Sequence, residues 1–158
     1  MKIHLFKFSI VVLLACLASC GPDYKKCFDT PLPYAQAIKE KDIDFPLPPS
    51  SHNINYAMYA DWQAYQRFVR FEAPVEDCIR HIDAVIAWHN KMNKRTSSYP
   101  RAEVTSVRPC GGDKTMGPTP WFDVDRIKRG LYMGEDSSHT PQIWVDRDRG
   151  VFYYYETD

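Results

Sequence analysis

The stretch QIWVDRDRGVFYYYE, residues 142–156, contains two runs of β-branched and aromatic residues around a short polar turn. Such runs favour strands, and Gly150 supplies the positive φ that a tight hairpin needs. Successive side chains of a strand point to opposite faces, and bulky residues occupy both faces, as Ile143 and Trp144 do. The sequence therefore predicts a hairpin that is central in its sheet or covered on both sides.

Two further strands are predicted upstream of this hairpin. Ile54, Tyr56 and Met58 share one face of an alternating run that begins at Asn53. Residues 63–72 resume the alternation after a turn. Two adjacent antiparallel strands explain this pattern most simply.

The second of these strands carries three charged residues, Arg67, Arg70 and Glu72. Arg67 falls on the same face as Val69 and Phe71, whereas the other two fall on the opposite face. The trio forms either a ligand-binding strip or charges on a solvated sheet face. We favour the second interpretation, because antiparallel sheets commonly expose one polar face.

The clearest helical pattern follows Pro74. Proline suits a first helical turn, and Glu76 and Asp77 complement the positive end of the helix dipole. Apolar residues then recur at spacings of three and four. They are Val75, Cys78, Ile79, Ile82, Val85, Ile86, His89 and Met92. We predict a helix that packs this stripe against the sheet, with His89 as a hydrogen-bonded core histidine.

Residues 96–119 are punctuated by proline and glycine and predict a long irregular loop with a brief strand at 102–107. Loops of this length in small domains are often functional, so this loop is a first place to look for a site. Thr119 as an N-cap before Pro120 and Gly130 as a stop predict a short helix.

These elements together predict an α+β fold with a mostly antiparallel sheet of about 4–5 strands packed against one main helix. The predicted order is β-β-α-(β)-short α-β-β, within a single domain at residues 53–158. Residues 20–52 contain six prolines and are predicted to be a tether or arm. This arm either spaces the domain away from a membrane or docks on the domain through Phe45 and Leu47.

The N-terminus has the pattern of an export signal. Lys2 and Lys7 precede an apolar run at residues 8–17, which is interrupted by one serine. The run is about 10 residues long, too short to span a bilayer. It leads into LASC, residues 17–20, and this motif resembles the lipobox of bacterial lipoproteins.

That resemblance implies that residues 1–19 are a signal peptide that is removed, and that the thiol of Cys20 receives a diacylglyceryl group. Acylation of the new amino terminus would add a further chain, and two or three chains anchor a protein stably where one does not. In Gram-negative bacteria of the enteric type, Gly21 after the cysteine implies the periplasmic face of the outer membrane. The alternative is a plain secretory peptide with an incidental cysteine.

Removal of the 19 leader residues, which include two lysines and no acidic residue, leaves 139 of 158 residues. The remaining 18 basic and 20 acidic side chains give a formal charge of −2, so no basic field exists to hold nucleic acid. Cys27, Cys78 and Cys110 then remain. Because Cys78 belongs to the helix stripe, we predict that Cys27 and Cys110 form a disulfide in an oxidising envelope.

The residues around Trp121 combine aromatic surface with charge, as recognition patches do. The candidate patch is Trp121, Asp123, Asp125 and Arg126. In the alternative that we favour, Trp121 and Phe122 fill the core while the charges face water.

No complete metal, cofactor or catalytic motif is present, so no cofactor is expected. Asp77 and His81 lie four apart on the predicted helix, but a zinc site needs two further ligands. The leading hypothesis is a membrane-anchored, non-catalytic lipoprotein that binds a protein or another envelope component. The alternatives are an immunity-type lipoprotein that neutralises a periplasmic toxin, and a small hydrolase using Asp123, Asp125 and His139.

Overall fold

The computed structural model describes residues 24–60, 65–94, 96, 99, 101–104, 119–134 and 141–157. Within these residues, seven strands form one antiparallel sheet. In chain order the elements are β1 (Tyr24–Leu32), the short helix α1 (Tyr34–Ala37), β2 (His52–Ala60), β3 (Tyr65–Glu72), the long helix α2 (Val75–Met92), β4 (Arg101–Val104), a 3-10 turn (Val124–Arg126), β5 (Gly130–Met133), β6 (Gln142–Asp146) and β7 (Val151–Thr157).

The sheet consists of two antiparallel meanders that meet in its middle. Its spatial order is β1-β2-β3-β7-β6-β5-β4, and the two meanders join where β3 pairs with β7, with Val69 opposite Tyr154. Every residue of β6 is buried, and so is every residue of β7 except Thr157. The β6–β7 hairpin is therefore central and covered on both faces, as its sequence predicts.

The turn of this hairpin also fixes the start of α2. Gly150 has a φ of 64°, and a Cβ at this position would lie 2.6 Å from the carbonyl oxygen of Ala73. The amide of Gly150 donates to Asp146 O, and the amide of Ala73 donates to Gly150 O, both at 2.9 Å. Glycine is required here because other residues are strained at this φ and lack the space.

Helix α2 packs one face on the sheet, as predicted. Its buried residues are Cys78, Ile82, Val85 and His89. The first three contribute to a core shared with buried side chains of the central strands, including Val69, Phe71, Phe152 and Tyr154. Among the described residues, no helix combines the length and the hydropathy that crossing a bilayer requires.

The sheet is larger than the predicted 4–5 strands, and the predicted element order is corrected accordingly. Two strands are additional. One is β5, and the other is β1, which lies within the segment 20–52 and pairs with β2, with Phe28 opposite Tyr56. Pro31 interrupts the alternation that identifies a strand, yet proline is tolerated at a sheet edge, where its missing N–H breaks no ladder. In place of the short helix expected before Gly130, the structure has a 3-10 turn at Val124–Arg126.

Residues 38–51, called the strap below, cross the helix side of the core. Phe45 is 5% exposed, and its ring lies 4.9 Å from the ring of Tyr154 and 5.4 Å from that of Trp88. Leu47 is half-buried against the same core. Of the two alternatives for this part of the arm, the structure shows docking on the domain.

Candidate functional site

The sheet face opposite α2 is partly covered by residues 119–129, called the cover segment below. This segment buries Val124 and Ile127. Its Phe122 packs edge-on against three aromatic rings of the sheet. These are Phe68, Tyr153 and Trp144, at centroid distances of 5.2, 5.4 and 5.9 Å. Such edge-to-face contacts add to the burial of apolar surface and hold the segment in place.

A hydrogen-bonded cluster attaches the cover segment to the central hairpin. Asp123 Oδ1 accepts from the Tyr153 hydroxyl at 2.5 Å, and its Oδ2 accepts from Arg149 Nη1 at 3.0 Å. Arg149 also donates to Asp146 Oδ2 at 2.6 Å. Burial acts to raise the pKa of Asp123, but the hydrogen bonds from Tyr153 and Arg149 outweigh it and lower this pKa below its ordinary value. Asp123 is thus an ionised anchor of the segment.

Between the cover segment and the first three strands lies an open depression of about 350 Å³. Its lining residues are Asp29 and Pro31 of β1, Asn53 and Asn55 of β2, Arg70 and Glu72 of β3, and Trp121 and Asp123 of the cover segment. These residues come together only when the sheet and the cover segment are assembled. Ligands bind in concave sites, and this one differs from the usual apolar pocket because charged and amide side chains dominate its lining, with one indole beside them.

A bulge in β2 shapes one wall of this depression. Asn53 has a φ of 48°, and the register with β3 shifts beside it. Its Nδ2 donates to Glu72 Oε2 at 2.9 Å, and Arg70 Nη2 donates to Glu72 Oε1 at 2.7 Å. Burial acts to raise the pKa of Glu72, but these hydrogen bonds lower it overall. Bulges re-aim side chains in this way beside functional sites.

The indole of Trp121 connects the cover segment to the edge strand. Its Nε1 donates to Asp29 Oδ1 at 2.9 Å, and the same oxygen accepts from the Cys27 thiol at 3.0 Å. Burial, followed by the hydrogen bond to Asp29, raises the pKa of Cys27 to about 11. This thiol is protonated at neutral pH and is a poor nucleophile. Its predicted partner Cys110 lies outside the described residues, so the disulfide stays a prediction.

The structure brings together two of the four residues of the predicted recognition patch. Trp121 and Asp123 line the depression, whereas Asp125 and Arg126 are exposed and do not line it. Arg126 lies 3.6 Å from Asp123. The hydrolase hypothesis also needs His139, which lies outside the described residues, as does the predicted lipidation site at Cys20.

Sequence reasoning missed Asp29, Asn53 and Asn55. Asp29 lies in the segment interpreted as an arm. The two asparagines lie in a strand that was predicted from the apolar residues of its other positions. The available signal was the pair of asparagines at a spacing of two, because asparagine is depleted in strands.

The trio Arg67, Arg70 and Glu72 is divided between the two faces of the sheet. Arg70 and Glu72 line the depression, whereas Arg67 is buried on the helix side, with its Nη1 3.1 Å from Glu156 Oε2. The exposed Asp44 of the strap also pairs with Arg67, at 3.1 Å. The interpretation as charges on a solvated sheet face is wrong for Arg67, which belongs to an internal ion pair, while Arg70 and Glu72 are half-buried in the depression.

A second depression, of about 360 Å³, lies between the strap and α2. Its lining includes the pair Asp77 and His81. Asp77 pairs with Arg80, and His81 Nε2 donates to Pro46 O at 2.9 Å. Burial lowers the pKa of His81. Within the part of the chain that the structure describes, no group of three or more His, Cys, Asp or Glu side chains is arranged to hold a metal ion.

No protein family model, no curated protein and no solved structure matches this chain.

Proposed function

We propose that this protein is a lipid-anchored lipoprotein of the bacterial envelope, and that its α+β domain binds a protein or another envelope component without catalysis. The LASC motif at residues 17–20 supports the anchor. The observation that carries the binding role is the depression lined by Trp121 and by charged and amide side chains. In enteric-type Gram-negative bacteria, Gly21 would direct the protein to the periplasmic face of the outer membrane.

The position of β1 supports this arrangement. Strand β1 begins at Tyr24, so a chain acylated at Cys20 reaches at most about 14 Å from the anchor to the sheet. Asp29 and Pro31 lie towards the other end of β1. At about 3.4 Å per residue, they lie about 20 Å along the strand from Tyr24. The depression therefore lies away from the anchored end of β1. At that distance, a partner in the aqueous compartment has access to it.

The attachment of the cover segment also supports binding. Asp123 holds Trp121 beside the sheet through its hydrogen bonds to Tyr153 and Arg149. A wall that is fixed before the ligand arrives loses little conformational entropy on binding. The wall formed by Trp121 is thus in place before the ligand binds.

Site-specific photocrosslinking in native envelopes tests the binding role. A photoreactive residue at position 31, which lines the depression, is expected to give a discrete adduct. The matched control is the same residue at position 87, an exposed position of α2, which is expected to give none. Equal labelling from both positions, or no adduct from position 31, would contradict the proposal.

An immunity-type lipoprotein is the second candidate, and one observation favours it. The lining has three carboxylates against one guanidinium, next to an indole, which suits a basic protein partner. In that case the adduct from position 31 appears only after the envelope is exposed to the toxin. An adduct in unexposed cells favours a resident envelope component.

A further inference from the structure

Each nitrogen-bearing side chain that lines the depression donates at least one hydrogen bond within the protein. Trp121 Nε1 donates to Asp29, and Asn53 Nδ2 donates to Glu72. Arg70 donates from both terminal nitrogens, to Glu72 and to the carbonyl oxygen of Asn53. Asn55 Nδ2 donates to the backbone carbonyls of Phe28 and Asp29 at 3.1 and 2.9 Å. The lining carboxylates Glu72 and Asp29 are thus the acceptors for three of these side chains, and the charge of the one guanidinium is directed at Glu72.

One hydrogen-bond acceptor of the lining, Asn55 Oδ1, has no donor among the described residues. Asn55 lines the depression and is 1% exposed. Because its Nδ2 makes the two bonds to carbonyls, the orientation of its amide is fixed, and Oδ1 has no donor among the described residues. A buried acceptor without a donor costs about 1–3 kcal/mol. A ligand that brings an N–H group to this oxygen would remove that cost.

One carboxylate of the lining, that of Asp29, makes no direct ion pair with the residues described, although the charge of Lys25 also acts on it. Glu72 pairs with Arg70, and Asp123 pairs with Arg149. Asp29 accepts at Oδ1 from Cys27 and Trp121, and it forms no ion pair with any residue that the structure describes. The hydrogen bond from Cys27, and then that from Trp121, lowers the pKa of Asp29, so this carboxylate is ionised at neutral pH.

The Asp29 carboxylate lies next to an aromatic surface. Trp121 touches Asp29 through its N–H and lines the same depression. The face of an indole attracts cations. The volume of about 350 Å³ is at the small end for ligand sites of about 300–1,000 Å³, which suits a group of side-chain size.

From this we propose that the depression binds its ligand through a cationic nitrogen group, a guanidinium or an ammonium. The Asp29 carboxylate supplies the counter-charge, Asn55 Oδ1 accepts an N–H of the ligand, and Trp121 contributes its ring. This inference rests on the proposed binding role and specifies the chemistry that the site recognises. Phosphate and carboxylate groups would meet three carboxylates and one guanidinium in the lining, so the inference predicts that they bind more weakly than a cationic group.

Calorimetric titration of the processed lipoprotein in detergent tests this inference. The probes are N-acetyl-arginine amide, N-acetyl-lysine amide and N-acetyl-citrulline amide, the last of which replaces the guanidinium with a neutral urea of nearly the same shape. We expect saturable binding of at least one cationic probe, weakened by added salt and at least about tenfold tighter than binding of the citrulline probe. Comparison of the arginine and lysine probes shows which cation the site prefers.

Two variants assign that binding to the depression. Asp29→Asn keeps the size of the side chain and is expected to weaken the cationic probe about tenfold. Asp125→Asn, an exposed carboxylate of the cover segment that does not line the depression, is expected to leave it unchanged. Thermal melts check that both variants are folded.

The inference is overturned if neither cationic probe binds, if the citrulline probe binds equally well, or if Asp29→Asn has no effect. These outcomes differ from failure of the proposed function. If the adduct from position 31 persists in an Asp29→Asn background, the binding site stands and only the cationic chemistry is wrong. If the adduct from position 31 is absent even when Asp29 is unchanged, the binding role itself fails.

Discussion

Replacement of Glu156 by glutamine is expected to lower the free energy of unfolding by about 3–5 kcal/mol. Glu156 is 3% exposed and Arg67 is 8% exposed, and their side chains are 3.1 Å apart. Glutamine has the same size but no charge. The Arg67 guanidinium therefore stays in the interior without its buried counterion, and this desolvated charge is the source of the cost.

Denaturant unfolding of Glu156→Gln, Arg67→Met and the double variant measures this effect. Each single change already breaks the pair, so the double variant is expected to cost less than the sum of the two. Asp44→Asn is the control, because Asp44 pairs with the same guanidinium at 3.1 Å but is 47% exposed. It is expected to cost less than about 1 kcal/mol. Strict additivity, or equal costs for Asp44 and Glu156, would contradict this account.

The same pair makes stability depend on pH. Burial acts to raise the pKa of Glu156, but the hydrogen bond from His89 and the charge of Arg67 lower it from 4.5 to about 2. Because the folded-state pKa lies below the unfolded-state value, this stabilisation is fully present above pH 4.5 and is lost as the pH falls towards 2. Wild-type protein is expected to lose more stability over that window than Glu156→Gln.

Replacement of Phe45 by alanine is expected to cost about 3–5 kcal/mol. The Phe45 ring is 5% exposed and contacts the rings of Tyr154, Trp88 and His81 at 4.9, 5.4 and 6.4 Å. Its loss leaves a cavity between the strap and α2. Equilibrium unfolding followed by circular dichroism measures the change.

Ile38→Ala is the matched control for this prediction. Ile38 is a large apolar residue of the same strap, but it is 56% exposed, so its truncation is expected to stay within about 0.5 kcal/mol. If Phe45→Ala were as mild as Ile38→Ala, the strap would not be part of the folded core.

Hydrophobic periodicity predicted the elements that bury a face locally. The β6–β7 hairpin and helix α2 were predicted because their patterns repeat over many residues. The edge strand β1 was missed because Pro31 interrupts its alternation and because its partner β2 is separated from it by the strap. The order of the strands depends on pairs such as Val69 with Tyr154, which no local pattern encodes.

The candidate site was predictable only where its chemistry is concentrated in sequence. Trp121 and Asp123 lie within one short charged and aromatic stretch, so composition alone drew attention to them. Asp29 and Asn55 are far apart in the chain and meet through the pairing of β1 with β2, seen in the bonds from Asn55 Nδ2 to the carbonyls of Phe28 and Asp29. Such a juxtaposition follows from the tertiary fold and not from spacing.

The proposed anchor at Cys20 would place every other proposed role in the envelope, and fatty-acid labelling in cells tests this anchor most directly. Wild-type protein is expected to incorporate the labelled fatty acid and to sediment with membranes, whereas Cys20→Ser is expected to lose the label and leave the membrane fraction. Cys27→Ser, seven residues downstream, is expected to behave as wild type. Unlabelled wild-type protein, or a Cys20→Ser variant that keeps both its label and its membrane partitioning, would contradict the account.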